Sequence, residues 1–447
     1  MSKPPGGPPH RPNVILITFD SLAARNMSLY GYDRGTTPCL DAFAGKSFVF
    51  KNFSANCNST IPSLFSILSG KYPRIHACLS VMSALGARER AENLASVLKK
   101  EGYHVSAVLG TPRDYAFISR LQFIKTAGLA NTLKSRIFLR GDYLVGAFLR
   151  TSLFRWGREI NRRTLRVNSS ESTFAKAVDH LQTLPSPFFL WIHIYPPHAP
   201  YLPSPKFKYS LLSERTLDTF GAQKRYLQRD YPQQLQPVIN KLRSRYDELV
   251  LSADSGFGTF WGAIEREGCL ENTIMIITSD HGEMFEKGYQ GHDGAFLYQP
   301  MVHIPLILRM PNQQDGRTLM VNAGQIDIAP TVLDILGIKI PSWMEGESLK
   351  RTIDRSPTRN GPKFSMSVNL FNDNGGPGYA SIAVIHEGYK LLYYPGKKRR
   401  ELYDLSRDPD EGMNLVHSKK EEAGILEDMI KKRMPSPLLN RFECVEP

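Results

Sequence analysis

The run Val14-Ile15-Leu16-Ile17-Thr18, leading into Phe19 and Asp20, is what most constrains the fold of this chain. It is continuous, apolar and largely β-branched, as suits a strand buried on both faces; such strands belong to parallel sheets covered by helices. A strand of this kind delivers Asp20 at its carboxyl end, the edge where open α/β sheets place their ligands. The same grammar recurs downstream. Helical patterns over 62–68, 91–101, 174–184 and 246–266 interleave with strand-like runs over 104–109, 188–194 and 273–278, the last running straight into Ser279-Asp280-His281-Gly282-Glu283. This alternation predicts a mostly parallel central sheet with helices on both faces. After Pro341 the texture changes: short runs over 382–385, 390–394 and 401–405, then a helical pattern over 421–432, predict a small antiparallel subdomain leaning on the main one. The expected organisation is a disordered Pro/Gly arm over 1–11, a main domain over 12–345 with a basic insertion over 115–167, and an α+β subdomain over 346–447.

With 447 residues and 41% hydrophobic content, the chain can bury a full core. Its apolar runs are only strand-length, so none is expected to span a bilayer, and the N-terminus lacks a hydrophobic signal core. Five cysteines without close pairing argue against a disulfide framework, and a cytoplasmic location is the default expectation. The formal charge of +13 favours polyanionic company. Much of the excess is local: Tyr143 to Arg158 contains no acid, and Arg140, Arg150, Arg155, Arg158, Arg162, Arg163 and Arg166 interleave with Phe148, Leu149, Phe154 and Trp156. As a helix this stretch reads either as a peripheral membrane-surface segment or as a solvated insertion packed on the body. No zinc finger, RNA-recognition signature or helix-turn-helix pattern is present, so nucleic acid is not an expected partner.

Thr60 stands just before the helical stretch 62–68, with Pro62 near the first turn, where proline is favoured. A helix N-terminus favours a nearby anion. A threonine hydroxyl hardly ionises near neutral pH, so attack by Thr60 requires a base or a metal. Asp20, Thr60, Asp280 and His281 together offer hard oxygen ligands and one imidazole, a set suited to one divalent cation such as Mn, Zn, Ca or Mg. Each residue alone is weak evidence, since strand-terminal Asp often caps a helix and Thr-x-Pro often starts one.

The constellation resembles a known family. Asn13 to Leu22, Leu29 to Asp41, Thr60-Ile61-Pro62-Ser63 with Leu68 to Pro73, and Thr278 to Glu283 look like the sulfatase family of the alkaline phosphatase superfamily. The match extends to Pro197-His198-Ala199-Pro200-Tyr201, His303 to Leu308, Asp327 to Thr331, Glu401 to Leu405, Asp408-Pro409 and Asn414-Leu415. The resemblance implies an alkaline-phosphatase-like sandwich in which Asp20, Asp280 and His281 hold the metal and Thr60 occupies the nucleophile position. It further implies that His198 contacts the oxygens of the bound ester and that His292, in Gly291-His292-Asp293-Gly294, makes a second basic contact. Lys71 and Arg113 are looser substrate-binding candidates, and His193, inside a strand run, reads as a core histidine.

The chain also departs from the family it resembles. Sulfatases carry Cys or Ser in a Cys-x-Pro-x-Arg slot and oxidise it to formylglycine, whereas this chain has Thr60-Ile61-Pro62-Ser63-Leu64. Oxidation of a threonine hydroxyl gives a ketone, not an aldehyde, and Cys57 has Ser59 where the proline is required. Sulfatases open with paired aspartates, but here Ser21 follows Asp20; no histidine lies between Tyr201 and Asn272 to build a second site, so one metal is expected. These departures resemble the threonine-nucleophile branches of the superfamily. They imply a hydrolase or transferase acting on a phosphate ester or phosphodiester, lipid- or glycan-linked, through a covalent intermediate. The alternatives are a sulfuric ester hydrolase without formylglycine and a catalytically retired lipid- or glycan-binding module.

Overall fold

The computed structural model describes residues 11–73, 92–110, 169–355, 361–371, 377–395 and 399–433, and the backbone alone at 125–126, 369–371 and 377–379. The first ten residues, nearly all of the basic insertion, and Arg113 lie outside the described residues.

The strands in chain order are β1 (Asn13–Asp20), β2 (Phe48–Ser54), β3 (His104–Leu109), β4 (Lys125–Thr126), β5 (Phe188–Pro197), β6 (Arg229–Asp230), β7 (Thr273–Ser279), β8 (Tyr289–Gln290), β9 (Leu306–Arg309) and β10 (Arg317–Gly324). Eight of them form one sheet in the order β10-β2-β9-β7-β1-β5-β3-β4. Every neighbouring pair is parallel except the two that involve β9. β1 lies at the centre, in register with β5 and β7, so Asp20 and the residues after Ser279 emerge side by side at one edge.

Alternation along β1 explains why the sheet is covered twice. Val14 and Leu16 pack with Leu64, Ile67 and Leu68 of the Thr60–Ser69 helix and with Leu94 and Val332. Ile15, Ile17 and Phe19 pack on the opposite face with Phe174, Leu242, Phe257 and Phe43. A continuous apolar strand is therefore needed, because neither face meets water.

The expected elements are present with shifted ends. The largest shift is in the helix expected over 246–266, which runs Gln236–Arg266. Its first turns carry Pro237 at a tolerated position and polar residues that mask the apolar period. Buried inside it, Arg245 and Glu248 form an ion pair at 2.7 Å. Two further acids of this helix hold the segment after β1. Asp247 accepts from Asn26 Nδ2 at 2.8 Å and Tyr32 at 2.7 Å, and pairs with Arg34. Asp254 accepts the backbone N–H groups of Cys39 and Leu40, both at 2.8 Å, at the start of the Pro38–Ala44 helix.

Beyond residue 360 a second sheet runs β11 (Lys363–Phe371), β12 (Pro377–His386), β13 (Tyr389–Tyr394) and β14 (Arg399–Asp404), all antiparallel. β11 has no counterpart in the sequence reading, because Lys363-Phe364-Ser365-Met366-Ser367 mixes charged and small polar residues that are nonetheless buried. One face of this sheet packs on Leu426 and Ile430 of the Lys420–Arg433 helix, while Ala383, Leu392, Tyr394 and Tyr403 join the main core.

The Asp254 clamp yields a measurable expectation. Asp254→Ala strands two buried amide donors and should lower unfolding stability by about 2–4 kcal/mol, read as a shift in denaturant midpoint with an unchanged m-value.

Candidate active site

The site forms at the carboxyl edge of the sheet from three chain segments. β1 ends in Asp20, which is 3% exposed, and the next residue, Ser21, adopts a left-handed φ of 67°. That conformation is costly for a non-glycine residue. It turns the Ser21 N–H onto Asp280 Oδ1 at 3.0 Å and its carbonyl onto the Tyr246 hydroxyl at 2.7 Å. Asp280 follows β7, and its Oδ1 also accepts the His281 N–H at 2.7 Å. The other oxygen, Oδ2, is buried without a hydrogen bond.

His281 is wholly buried, and its Nδ1 lies 3.0 Å from the Gly282 carbonyl. A carbonyl only accepts, so Nδ1 carries the proton and Nε2 keeps its lone pair. Burial lowers the His281 pKa despite the opposing pull of Asp280, which favours this neutral ring. Nε2 lies 3.2 Å from Thr60 Oγ1, 3.5 Å from Asp280 Oδ2 and 3.8 Å from Asp20 Oδ1. Gly282 is required by its surroundings: a Cβ there would come within 2.0 Å of the Pro300 carbonyl oxygen.

Thr60 is the first residue of its helix, which begins two residues earlier than the expected stretch 62–68, with Ser59 at the N-cap and Gly70 in a left-handed C-cap. The preceding loop is tied down by amide side chains. Asn58 Nδ2 donates to the carbonyls of Asp293, Gly294 and Phe296, and the Asp293 N–H returns to the Asn58 carbonyl at 3.0 Å. Asn56 binds Gln325 Oε1 through its N–H, and Gln325 Nε2 donates to the Ser279 carbonyl. Cys57 in this loop is buried, which pushes its thiol pKa up to about 12 and keeps it un-ionised.

Two further imidazoles line the same space. The His292 ring is 4.4 Å from His281 and 4.8 Å from His198. His292 Nδ1 sits 3.1 Å from Glu283 Oε2. Burial opposes charge on this ring, but Glu283, helped by Asp293 and Asp20, outweighs it and pushes the His292 pKa up to about 10. His198 Nδ1 donates to the Ala199 carbonyl at 2.6 Å, and the ring rests on Tyr195. The structure thus brings together Asp20, Thr60, Asp280, His281, His292 and His198. Lys71 is not brought there: it follows the C-cap of the ten-residue Thr60–Ser69 helix, roughly 15 Å from its start, with Nζ over the Trp343 ring. His193 is a core residue, bonded to Thr18 Oγ1 at 2.8 Å.

Glu283, Asn58, Gln325 and Gln228, whose amide touches His292, are not singled out from the sequence, and Ser21 is marked there only as standing in place of a second aspartate. Only Glu283 carried a signal, standing two residues beyond His281.

Asp20, Asp280 and His281 each offer one atom within 4.8 Å of the others, so the group is able to hold a metal ion. The orphaned Asp280 Oδ2 supports the fit, because a buried acceptor facing a second carboxylate is costly without a cation. Adding Mn, Zn, Ca or Mg to metal-free protein should raise Tm by an amount equivalent to about 2.7 kcal/mol at a hundredfold excess over Kd, and Asp280→Ala should abolish the shift. In metal-free protein the raised His292 pKa contributes stability that is fully present below 6.5 and lost as pH rises through about 10. Glu283→Gln should leave burial dominant and drop the ring's titration below 6.5, which NMR of the His292 ring protons would read.

Residues 12–338 match the sulfatase family model, and residues 286–436 match the model described as N-sulphoglucosamine sulphohydrolase, C-terminal. An arylsulfatase of Clostridium perfringens is 26% identical, covering 97% of this chain and 95% of its own length. Arylsulfatase K of Xenopus laevis is 24% identical over 93% of this chain and 81% of its own. Among solved structures, a protein in complex with its substrate D-glucosamine-2-N,6-O-disulfate superposes with a TM-score of 0.73 at 19% identity, covering 98% of this chain and 99% of that one. A phosphonate monoester hydrolase of Agrobacterium radiobacter superposes with a TM-score of 0.68 at 18% identity, with 95% of each chain covered. These structures share the alkaline-phosphatase-like α/β fold with its small antiparallel C-terminal sheet.

Proposed function

Because this chain belongs to the sulfatase family, and is a superfamily ester hydrolase, we propose that it hydrolyses sulfuric esters, in the class of sulfated glycans, without formylglycine. The names of its relatives support this reading better than the phosphodiester chemistry suggested by Thr60. The observation that carries it is the convergence of Thr60 Oγ1 with the Asp20–Asp280–His281 group at a helix N-terminus, faced by two imidazoles.

Asp20, Asp280 and His281 would hold one divalent ion, which when bound would supply positive charge for activating a hydroxyl and offsetting charge on the ester oxygens. Thr60 Oγ1 gives up its proton and attacks sulfur in line, the ester S–O bond breaks, and the leaving oxygen departs as the alcohol carrying the proton that Thr60 released. His292, held protonated by Glu283, donates to the ester oxygens as negative charge develops, the role that usually carries most of the barrier reduction. His198 orients the same group through its ring, fixed by the Ala199 carbonyl. Water then cleaves the threonyl ester at sulfur, because Thr60 lacks the second hydroxyl through which a formylglycine hydrate expels sulfate.

A second reading rests on one observation. Thr60 forms a more tractable phosphoryl than sulfuryl intermediate, since water attack on phosphothreonine needs no aldehyde, and phosphate or phosphonate esters are then the substrates. Parallel assays on 4-nitrophenyl sulfate, a bis-aryl phosphodiester and an aryl phosphonate, each with Mn, Zn, Ca or Mg, separate the two. Turnover of the sulfate is the expected result, and turnover of phosphorus esters alone would establish the second reading. Under either, Thr60→Ala should lower kcat by roughly 10³-fold or more, and peptide mass spectrometry should find residue 60 as unmodified threonine in resting enzyme.

A further inference from the structure

We propose that Gln228 is a positioning residue for His292. β6 pairs antiparallel with β8, with Arg229 opposite Gln290, and this two-stranded ribbon carries Gln228 onto the Gly291–His292 segment. The backbone at Gln228 has a left-handed φ of 56°, a conformation disfavoured for a side chain of this size. Its N–H donates to Gln290 Oε1 at 3.0 Å, and Gln290 Nε2 in turn donates to the Tyr201 hydroxyl at 2.7 Å. The strained residue is therefore locked from behind by a buried amide.

The side chain of Gln228 makes contacts that only His292 explains. Its Oε1 accepts the His292 N–H at 3.2 Å, while its Nε2 lies 3.1 Å from Nδ1 and 3.4 Å from Nε2 of the same ring. Nδ1 already serves Glu283, so the amide nitrogen is not in line with a lone pair there. Near-equal distances to both ring nitrogens place it instead over the face of the ring beside the N–C–N edge. Glu283 fixes the ring in its own plane, and Gln228 fixes its tilt. Gly291 makes room for this contact: a Cβ there would stand 2.4 Å from Gln228 Oε1, 2.8 Å from its Cδ and 3.0 Å from its Cα.

Gln228 is exposed as a whole residue and buries little apolar surface, so its geometry is not explained by core stability. Its effect falls on the aim of an imidazole that, on the ester-hydrolase reading above, contacts the reacting group. A tilt error at that ring costs turnover before it costs affinity.

The test uses the full chain with divalent metal. Gln228→Ala should lower kcat roughly 10- to 100-fold, with KM within twofold and Tm unchanged, on whichever ester the unmutated enzyme turns over. Gln228→Glu, which keeps an acceptor for the His292 N–H, should recover part of the loss. Gly291→Ala, which displaces the amide, should reproduce it. Nitrogen-15 NMR of the imidazoles supplies a readout independent of turnover: the His292 ring signals should shift or broaden in Gln228→Ala while those of His193 do not. If the unmutated chain turns over no ester, the ester reading fails and the ring signals still decide the role of Gln228. Unchanged His292 signals with kcat within twofold, or a loss of kcat that follows a loss of Tm, would overturn the proposal.

Discussion

Two carboxylates buried beside one another, Asp20 and Asp280, are the constraint around which the molecule is organised. Adjacent parallel strands deliver them to the same edge, where both are buried. Like charges in a dry setting repel strongly, so the fold must supply opposing dipoles or a cation. It supplies part of the answer through the N–H groups of Ser21 and His281, both spent on Asp280 Oδ1. The left-handed turn at Ser21 and the glycine after His281 are the backbone's contribution to that arrangement.

The rest of the site is assembled by amides. Asn56, Asn58 and Gln325 bond to main-chain groups of distant segments and so tie the loop before Thr60 to the ends of β7 and β8 and to the second sheet. Each buried amide satisfies groups that would otherwise be stranded, which makes the loop rigid without apolar bulk. That rigidity holds Thr60 Oγ1 at 3.2 Å from His281 Nε2 although the helix behind it has no charged anchors.

Much of this was legible in the residue pattern, for identifiable reasons. Asp20, Asp280 and His281 follow apolar strand runs directly, and Thr60 precedes a helix-starting proline, so each is fixed by local sequence. Lys71 lies away from Thr60 despite being close in sequence, because a helix carries its two ends apart by its own length. Gln228 and Asn58 left no trace, since an amide that bonds main chain has no period and no required neighbour. β11 escaped for a related reason: Lys363 is buried by pairing with Asp327 at 2.8 Å, a partner thirty-six positions away that no local window contains. The nature of the ester was the least legible, because Thr60 and the family likeness point to different central atoms.

The shared packing of the second sheet has a consequence for how the chain is made. Ala383, Leu392, Tyr394 and Tyr403 complete the core that begins with Val14 and Leu16, and the Asn56 side chain bonds the Phe364 carbonyl. A nascent chain therefore carries an unfinished hydrophobic face, and a half-secured Thr60 loop, until residues 363–403 have emerged from the ribosome. The candidate site is thus completed only when this segment folds back, and until then the uncovered face is open to aggregation.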